Sequence, residues 1–168
     1  MTTVLAHLRP RIVDLGRWPG RYLLYRRLHP LWLVLCGAIP GICLNPPTNP
    51  RRDCHLPVRA SYAALYRRVI EIHDGLIGMQ AYADPAVGAA ASRGARACGL
   101  EVWRADAVGA AVRLHVALDA RAAGDEPVRD FVQTTTPQIT WGHVESDVDG
   151  EARWLAHLAA ALESVHRG

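Results

Sequence analysis

The sequence predicts an all-α fold, a four- to five-helix bundle with one irregular Pro-rich connector. Three observations carry that expectation. Apolar residues recur at helical spacing, as in Leu65, Val69, Ile72, Leu76 and Met79, which step by four and three. Helix-stopping residues follow a periodic stretch, as Gly124 and Pro127 follow 98–123. No pattern of a parallel sheet is present. With 168 residues, half of them hydrophobic, the chain has the size of a single helical domain, 1–168, with 1–19 as a loosely packed N-terminal arm.

In chain order, Trp18-Pro19-Gly20 breaks whatever precedes it, and a helix runs from Arg21 to about Leu28. His29-Pro30 restarts a helix, because proline suits a first helical position, and this one ends near Gly37–Pro40. The longest apolar run, Leu31–Leu44, is shorter than the roughly twenty residues a bilayer-spanning helix needs and reads as a buried core helix. Residues 40–57 hold five Pro and two Asn and form the irregular connector. The clearest helix covers 61–82. A third covers about 98–123, with Leu100, Trp103, Ala107, Ala111, Leu114 and Leu118 inward. Between 127 and 146, Thr134-Thr135-Thr136-Pro137 and the alternation around Ile139 and Trp141 read as a loop or a short strand pair. The last helix covers about 148–166, and its acidic start (Asp147, Asp149, Glu151) suits the positive end of the helix dipole.

Charge is split end to end. Residues 1–68 carry eleven Arg against two acids, Asp14 and Asp53, whereas 69–168 carry eight Arg against fourteen acids; the chain has no Lys. The near-neutral total therefore hides a basic half able to attract phosphates or anionic lipid head groups. Arg21, Arg26, Arg27, Arg51 and Arg52 are expected to pair with the acidic half or a protein partner, to lie on an anionic membrane surface, or to track nucleic-acid phosphates, in that order of preference. Four Cys (36, 43, 54 and 98) without a secretion signal predict reduced thiols in a cytoplasmic protein, which the basic half would make membrane-peripheral.

The chemistry is incomplete. With Arg67 as angular zero on the 61–82 helix, Glu71 falls at about 40° and Asp74 at about 340°, opposite an apolar stripe centred at about 160°. The trio reads as a solvated face carrying an ion pair, or as an acid–base or cation-binding cluster with Arg68 at its edge. Gly75 and Gly78 sit beside that face and cost a helix about 1 kcal/mol each relative to Ala. Something is expected to approach there closely: another helix, a ligand or a partner.

Glu145-x-Asp147-x-Asp149-Gly150 begins like a calcium loop but places Ala156 where the bidentate Glu belongs. Cys36, Cys43, Cys54 and His55 lack the close-paired spacing of a zinc site, and His73, His115 and His157 each stand alone on their helices. No phosphate loop, dinucleotide fingerprint or Gly-x-Ser-x-Gly is present. No cofactor and no metal is therefore expected.

Two blocks, Tyr25-Arg26-Arg27-Leu28-His29-Pro30-Leu31-Trp32 with Ala38-Ile39-Pro40, and Leu65-Tyr66-Arg67-Arg68-Val69-Ile70-Glu71-Ile72-His73-Asp74-Gly75-Leu76, together with Glu151-Ala152-Arg153-Trp154-Leu155, resemble an actinobacterial domain of unknown function. The resemblance covers about 20 to 166. It implies the cytosolic C-terminal part of multi-pass membrane proteins loosely labelled transporters, and it carries no catalytic role. The membrane part is missing here, and the Met1 start favours a stand-alone relative, so the transporter label is not carried over.

The reading that follows is a non-catalytic helical interaction or ligand-sensing module with a regulatory role, binding a protein partner or a small anionic ligand. Its site would use Arg67, Arg68, Glu71, Asp74, Gly75, Gly78, Arg26 and Arg27. The rival is a small enzyme of specialised metabolism, with Glu71 and Asp74 as acid and base or Mg²⁺ ligands and Arg67 and Arg68 gripping a diphosphate. Burial discriminates: the enzyme needs Glu71 and Asp74 lining one cavity.

Overall fold

The computed structural model describes residues 16–127 and 147–167. Helix α1 covers 16–27 of these, and α2, His29–Ala38, follows after Leu28. The backbone ladder passes through that junction, with Leu28 N donating to Leu24 O and Trp32 N to Leu28 O. Pro30 fits early in α2, where its missing N–H is not needed. Trp18-Pro19-Gly20, expected as a break, lies within α1, so the helix is already formed in the part of the predicted arm that is described.

The connector is less irregular than its proline content predicts. Pro40–Ile42 is a 3₁₀ turn, Pro50–Asp53 is a one-turn helix (α3) and Val58–Ala60 is a second 3₁₀ turn. Proline suits first positions in such turns, and Asn49 caps α3 by accepting from Arg52 N at 2.9 Å. The run 31–44 is accordingly not one core helix: α2 stops at Ala38, and Leu33, Val34 and Leu44 are exposed. Cys36 and Cys43, expected as reduced thiols, form a disulfide across the turn, with Cα atoms 5.9 Å apart; Cys54 and Cys98 are free.

Helix α4, Ser61–Met79, continues as a 3₁₀ turn at Gln80–Tyr82. Helix α5, Pro85–Ala97, was not anticipated. Its ends are well marked: Asp84 accepts from Ala86 N, and Gly99 (φ 86°) closes it, with Leu100 N reaching back to Ala95 O. Its buried side chains give no periodic signal, because the residue it buries is Gly88. Helix α6, Val102–Ala123, ends at Gly124 (φ 82°) as predicted, and α7 is Val148–His166, with Asp147 capping Gly150 N. Of the residues expected inward, Ala107, Ala111 and Leu114 are buried, whereas Leu100, which precedes α6, and Trp103, in its first turn, are exposed. The loop or strand pair expected at 127–146 lies outside the described residues beyond 127.

The fold is all-α, as predicted, with seven helices among the described residues rather than four or five. Contacts fix their directions. Trp103 meets His157 and His115 meets His166, so α6 and α7 run parallel. The turn at Gly99 folds α5 back antiparallel on α6, where Arg96 pairs with Asp106 at 2.6 Å. Helices α2 and α4 also run parallel, Trp32 meeting Glu71 and Leu35 meeting Gly75. The core lies between α2, α4, α6 and α7 and contains Leu31, Leu35, Leu65, Ile72, Leu114 and Leu155.

Candidate functional site

The predicted site face on α4 is divided by burial. Arg67 and Asp74 are exposed, whereas Glu71 and Arg68 are only 8% and 4% exposed. The buried arc of α4 is wider than its apolar stripe, because α2 and the following turn lie over its Gly75 side. A Cβ on Gly75 would sit 2.8 Å from Ile42 Cδ1 and 2.9 Å from Leu35 Cβ, and one on Gly78 would collide with Ile39 Cδ1. The approach anticipated at these glycines is made by another helix and its turn. The expectation that Arg67, Glu71 and Asp74 share a face opposite the core is therefore corrected.

Glu71 is held by two donors. Trp32 Nε1 donates to Oε2 at 2.7 Å and Leu44 N to Oε1 at 3.3 Å. Arg68 lies between the rings of Tyr25 and Trp32, its Cζ 4.2 and 4.0 Å from the centroids. Its Nη2 donates to Tyr25 Oη at 2.8 Å and to Asp53 O at 2.9 Å. This cluster ties α1, α2, the connector and α4 together. Burial pulls the Arg68 pKa down, against Tyr25 and Glu71, and pushes Tyr25 and Cys54 up.

His29 is buried at the edge of the cluster, its Nε2 3.9 Å from Asp53 Oδ2. Burial, and then Arg68, lowers its pKa below the ordinary 6.5. The folded state therefore keeps His29 neutral where the unfolded chain begins to bind a proton, so its contribution to stability is complete above about pH 6.5 and is lost as pH falls below it. His157 is lowered too, by partial burial and by Arg104 and Arg27, so the test is a difference. In urea unfolding across pH 5 to 7, His29→Gln is expected to lose less stability on acidification than the parent; an equal loss would show that His29 does not contribute.

Neither Glu71 nor Asp74 lines any of three cavities in the fold. The largest, about 640 Å³, is an open groove between α2, α6 and α7, with Leu31, Val34, Leu118 and Leu162 among its walls. Its rim carries His115 near Asp119 (3.6 Å) and Arg167 near Glu163 (3.8 Å). Arg121 reaches across to Ala38 O at 2.9 Å, fastening α6 to α2. A more polar cleft of about 420 Å³ lies between α1, α4 and the start of α7. There Arg21 pairs with Asp149 at 3.1 Å and His73 with Glu151 at 2.9 Å. The third, about 250 Å³, lies at Trp103 and His157.

Asp147 and Asp149, read as the start of a calcium loop, serve as helix cap and ion-pair partner; Glu145 lies outside the described residues. No group of three or more His, Cys, Asp or Glu side chains among the described residues is placed to hold a metal ion. Arg26 stacks on Tyr22 (5.8 Å), and Arg26 and Arg27 are both exposed. The groove was not anticipated. Its signal was α2 itself, apolar all round in HPLWLVLCGA, since a helix apolar on every side needs cover on every side.

A model of the family of unknown function DUF6545 matches residues 17–164. The chain belongs to that family. The DUF6545 match begins in α1 and ends in the last turn of α7, so it includes the buried cluster and most of the groove wall. No curated protein and no solved structure matches the chain. No helix among the described residues is long and apolar enough to cross a membrane.

Proposed function

We propose that this chain is a non-catalytic, ligand-sensing interaction module that takes an apolar or amphiphilic ligand into the groove between α2, α6 and α7. The observation that carries the reading is the groove: about 640 Å³ with apolar walls and a rim of both charge signs, in the size range of small-molecule sites. The dispersal of the predicted acid–base pair supports the same reading, because Glu71 is engaged by Trp32 and Leu44 while Asp74 is in solvent. An acid or a Mg²⁺ ligand needs a free oxygen facing a cavity. We place the module in the cytoplasm with a regulatory role, in the actinobacterial, membrane-protein-associated context that its motifs suggest.

The test uses the neutral dye N-phenyl-1-naphthylamine, whose fluorescence rises in apolar surroundings. Val34 lines the groove yet is 42% exposed, so Val34→Glu should fold while placing a charge there. Saturable one-to-one dye binding is expected, weakened about tenfold or more in Val34→Glu, which is about 1.4 kcal/mol. Ile77→Glu, on the exposed side of α4, should bind as the parent does. No saturable binding, or equal binding by all three, would sink the proposal.

A further inference from the structure

The sequence places nine more positive than negative charges in residues 1–68, and their pairing with the acidic half or a protein partner was the first expectation, ahead of a membrane surface. Among the described residues, Arg21–Asp149 is an ion pair that joins an arginine of the first half to a carboxylate of the second. Arg68 is buried in the cluster described above. Arg17, Arg26, Arg27, Arg51, Arg52, Arg59 and Arg67 are exposed, and no carboxylate among the described residues lies within 4 Å of any of them. By contrast, Arg96, Arg104 and Arg167 in the second half each have a carboxylate partner. Asp53, the one described acid among residues 16–68, accepts from Thr48 N and Oγ1.

These arginines belong to segments that the fold fastens together. Trp18 Nε1 of α1 donates to Leu56 O in the connector at 3.2 Å. The Arg21 guanidinium of α1 lies over the Tyr62 ring of α4 at 5.2 Å. Arg68 joins α4 to Tyr25 of α1 and to Asp53 of the connector, and Arg26 is close enough to lower the Cys54 thiol against its burial. On α1 itself, Leu23, Arg26 and Arg27 are exposed while Leu24 turns inward, as does Leu28 just after the helix. Exposed apolar and aromatic groups stand among the cations: Leu23, Leu44, Val58, Tyr62 and Tyr66.

From this we infer that the surface formed by α1, residues 44–60 and the first half of α4 docks on an anionic lipid bilayer, arginines on the lipid phosphates and the apolar groups within the head-group layer. Cations alone would suit any polyanion. Leucine and valine among them favour a bilayer over nucleic acid, since these side chains gain by entering an interface and add nothing to phosphate contacts. The attachment is peripheral and salt-sensitive, because exposed charges are screened beyond about 10 Å at ordinary ionic strength.

The experiment is co-sedimentation of the full chain with phosphatidylcholine vesicles, with and without phosphatidylglycerol, over a range of salt. Binding is expected with phosphatidylglycerol present, falling as salt rises. Removing one such arginine should weaken it about fivefold, and the triple variant Arg26→Gln/Arg51→Gln/Arg52→Gln about a hundredfold, with its melting temperature kept as the check on folding. Arg93→Gln/Arg153→Gln removes two exposed arginines of the second half and should bind as the parent does. Absence of binding at low salt would overturn the inference, as would a loss in the control equal to that in the triple variant. A duplex oligonucleotide that binds more tightly than the vesicles and strips the protein from them would overturn it in favour of nucleic acid. Dye binding in the groove is read separately, so either proposal can fail alone.

Discussion

Replacing Arg68 with alanine is expected to lower stability by about 3–5 kcal/mol, the range for leaving a buried charge uncompensated. The side chain does several things at once. Its guanidinium fills the space between Tyr25 and Trp32, and its Nη2 serves both Tyr25 Oη and Asp53 O. Its charge also offsets the buried Glu71 carboxylate three residues along α4, which would be left with Trp32 and Leu44 as its donors. A domain of this size is stable by only about 5–15 kcal/mol, so the variant should show a far lower urea midpoint or no cooperative transition. Arg68→Met keeps most of the apolar contact and should lose less than Arg68→Ala. A loss under about 1 kcal/mol in Arg68→Ala would mean that the cluster is solvated like a surface pair.

Two glycine-to-alanine substitutions should move stability in opposite directions. Alanine is favoured over glycine within a helix by about 1 kcal/mol. At Gly94 of α5, nothing lies within 4 Å of an added Cβ, so Gly94→Ala should raise stability by about that amount. At Gly109 of α6 the Cβ would stand 2.6 Å from Gly88 O and collide with Ser92 Oγ. The serine can rotate, but the backbone carbonyl can move only if α5 lifts from α6. Overpacking of this kind costs about 1–3 kcal/mol, and Gly109→Ala should lower the melting temperature despite its better propensity. If both substitutions raised it, the close crossing of α5 and α6 would be wrong.

Much of the helix map was legible because it rests on local chemistry. The α7 boundaries follow from the Asp147 cap and the apolar spacing of Ala152, Leu155, Ala159 and Leu162, and the end of α6 follows from Gly124. Helix α5 escaped notice because glycine and alanine do its packing, and those residues leave no hydrophobic rhythm to read. Its Asp84-Pro85 start and Gly99 stop were the available signals. The one-turn α3 was hidden in the same way, its Asn49-Pro50 start lying in a stretch read only as proline-rich.

The candidate site was less legible, and α4 shows why. Periodicity locates the centre of a buried stripe but not its width, because the width depends on what packs beside it. The segment from α2 through the Pro40–Ile42 turn covers the Gly75 side of α4, so Glu71 and Arg68 pass from the expected polar face into the interior while Arg67 and Asp74 stay in water. The groove likewise belongs to three helices distant in the chain. Helical class and most helix ends are readable in the sequence because residues within a few positions of one another set them, and the segregation of charge because it needs only the order of residues along the chain. Only the tertiary structure decided which polar groups are buried, which arginines stay exposed and where a cavity lies, because burial depends on which distant segments pack together.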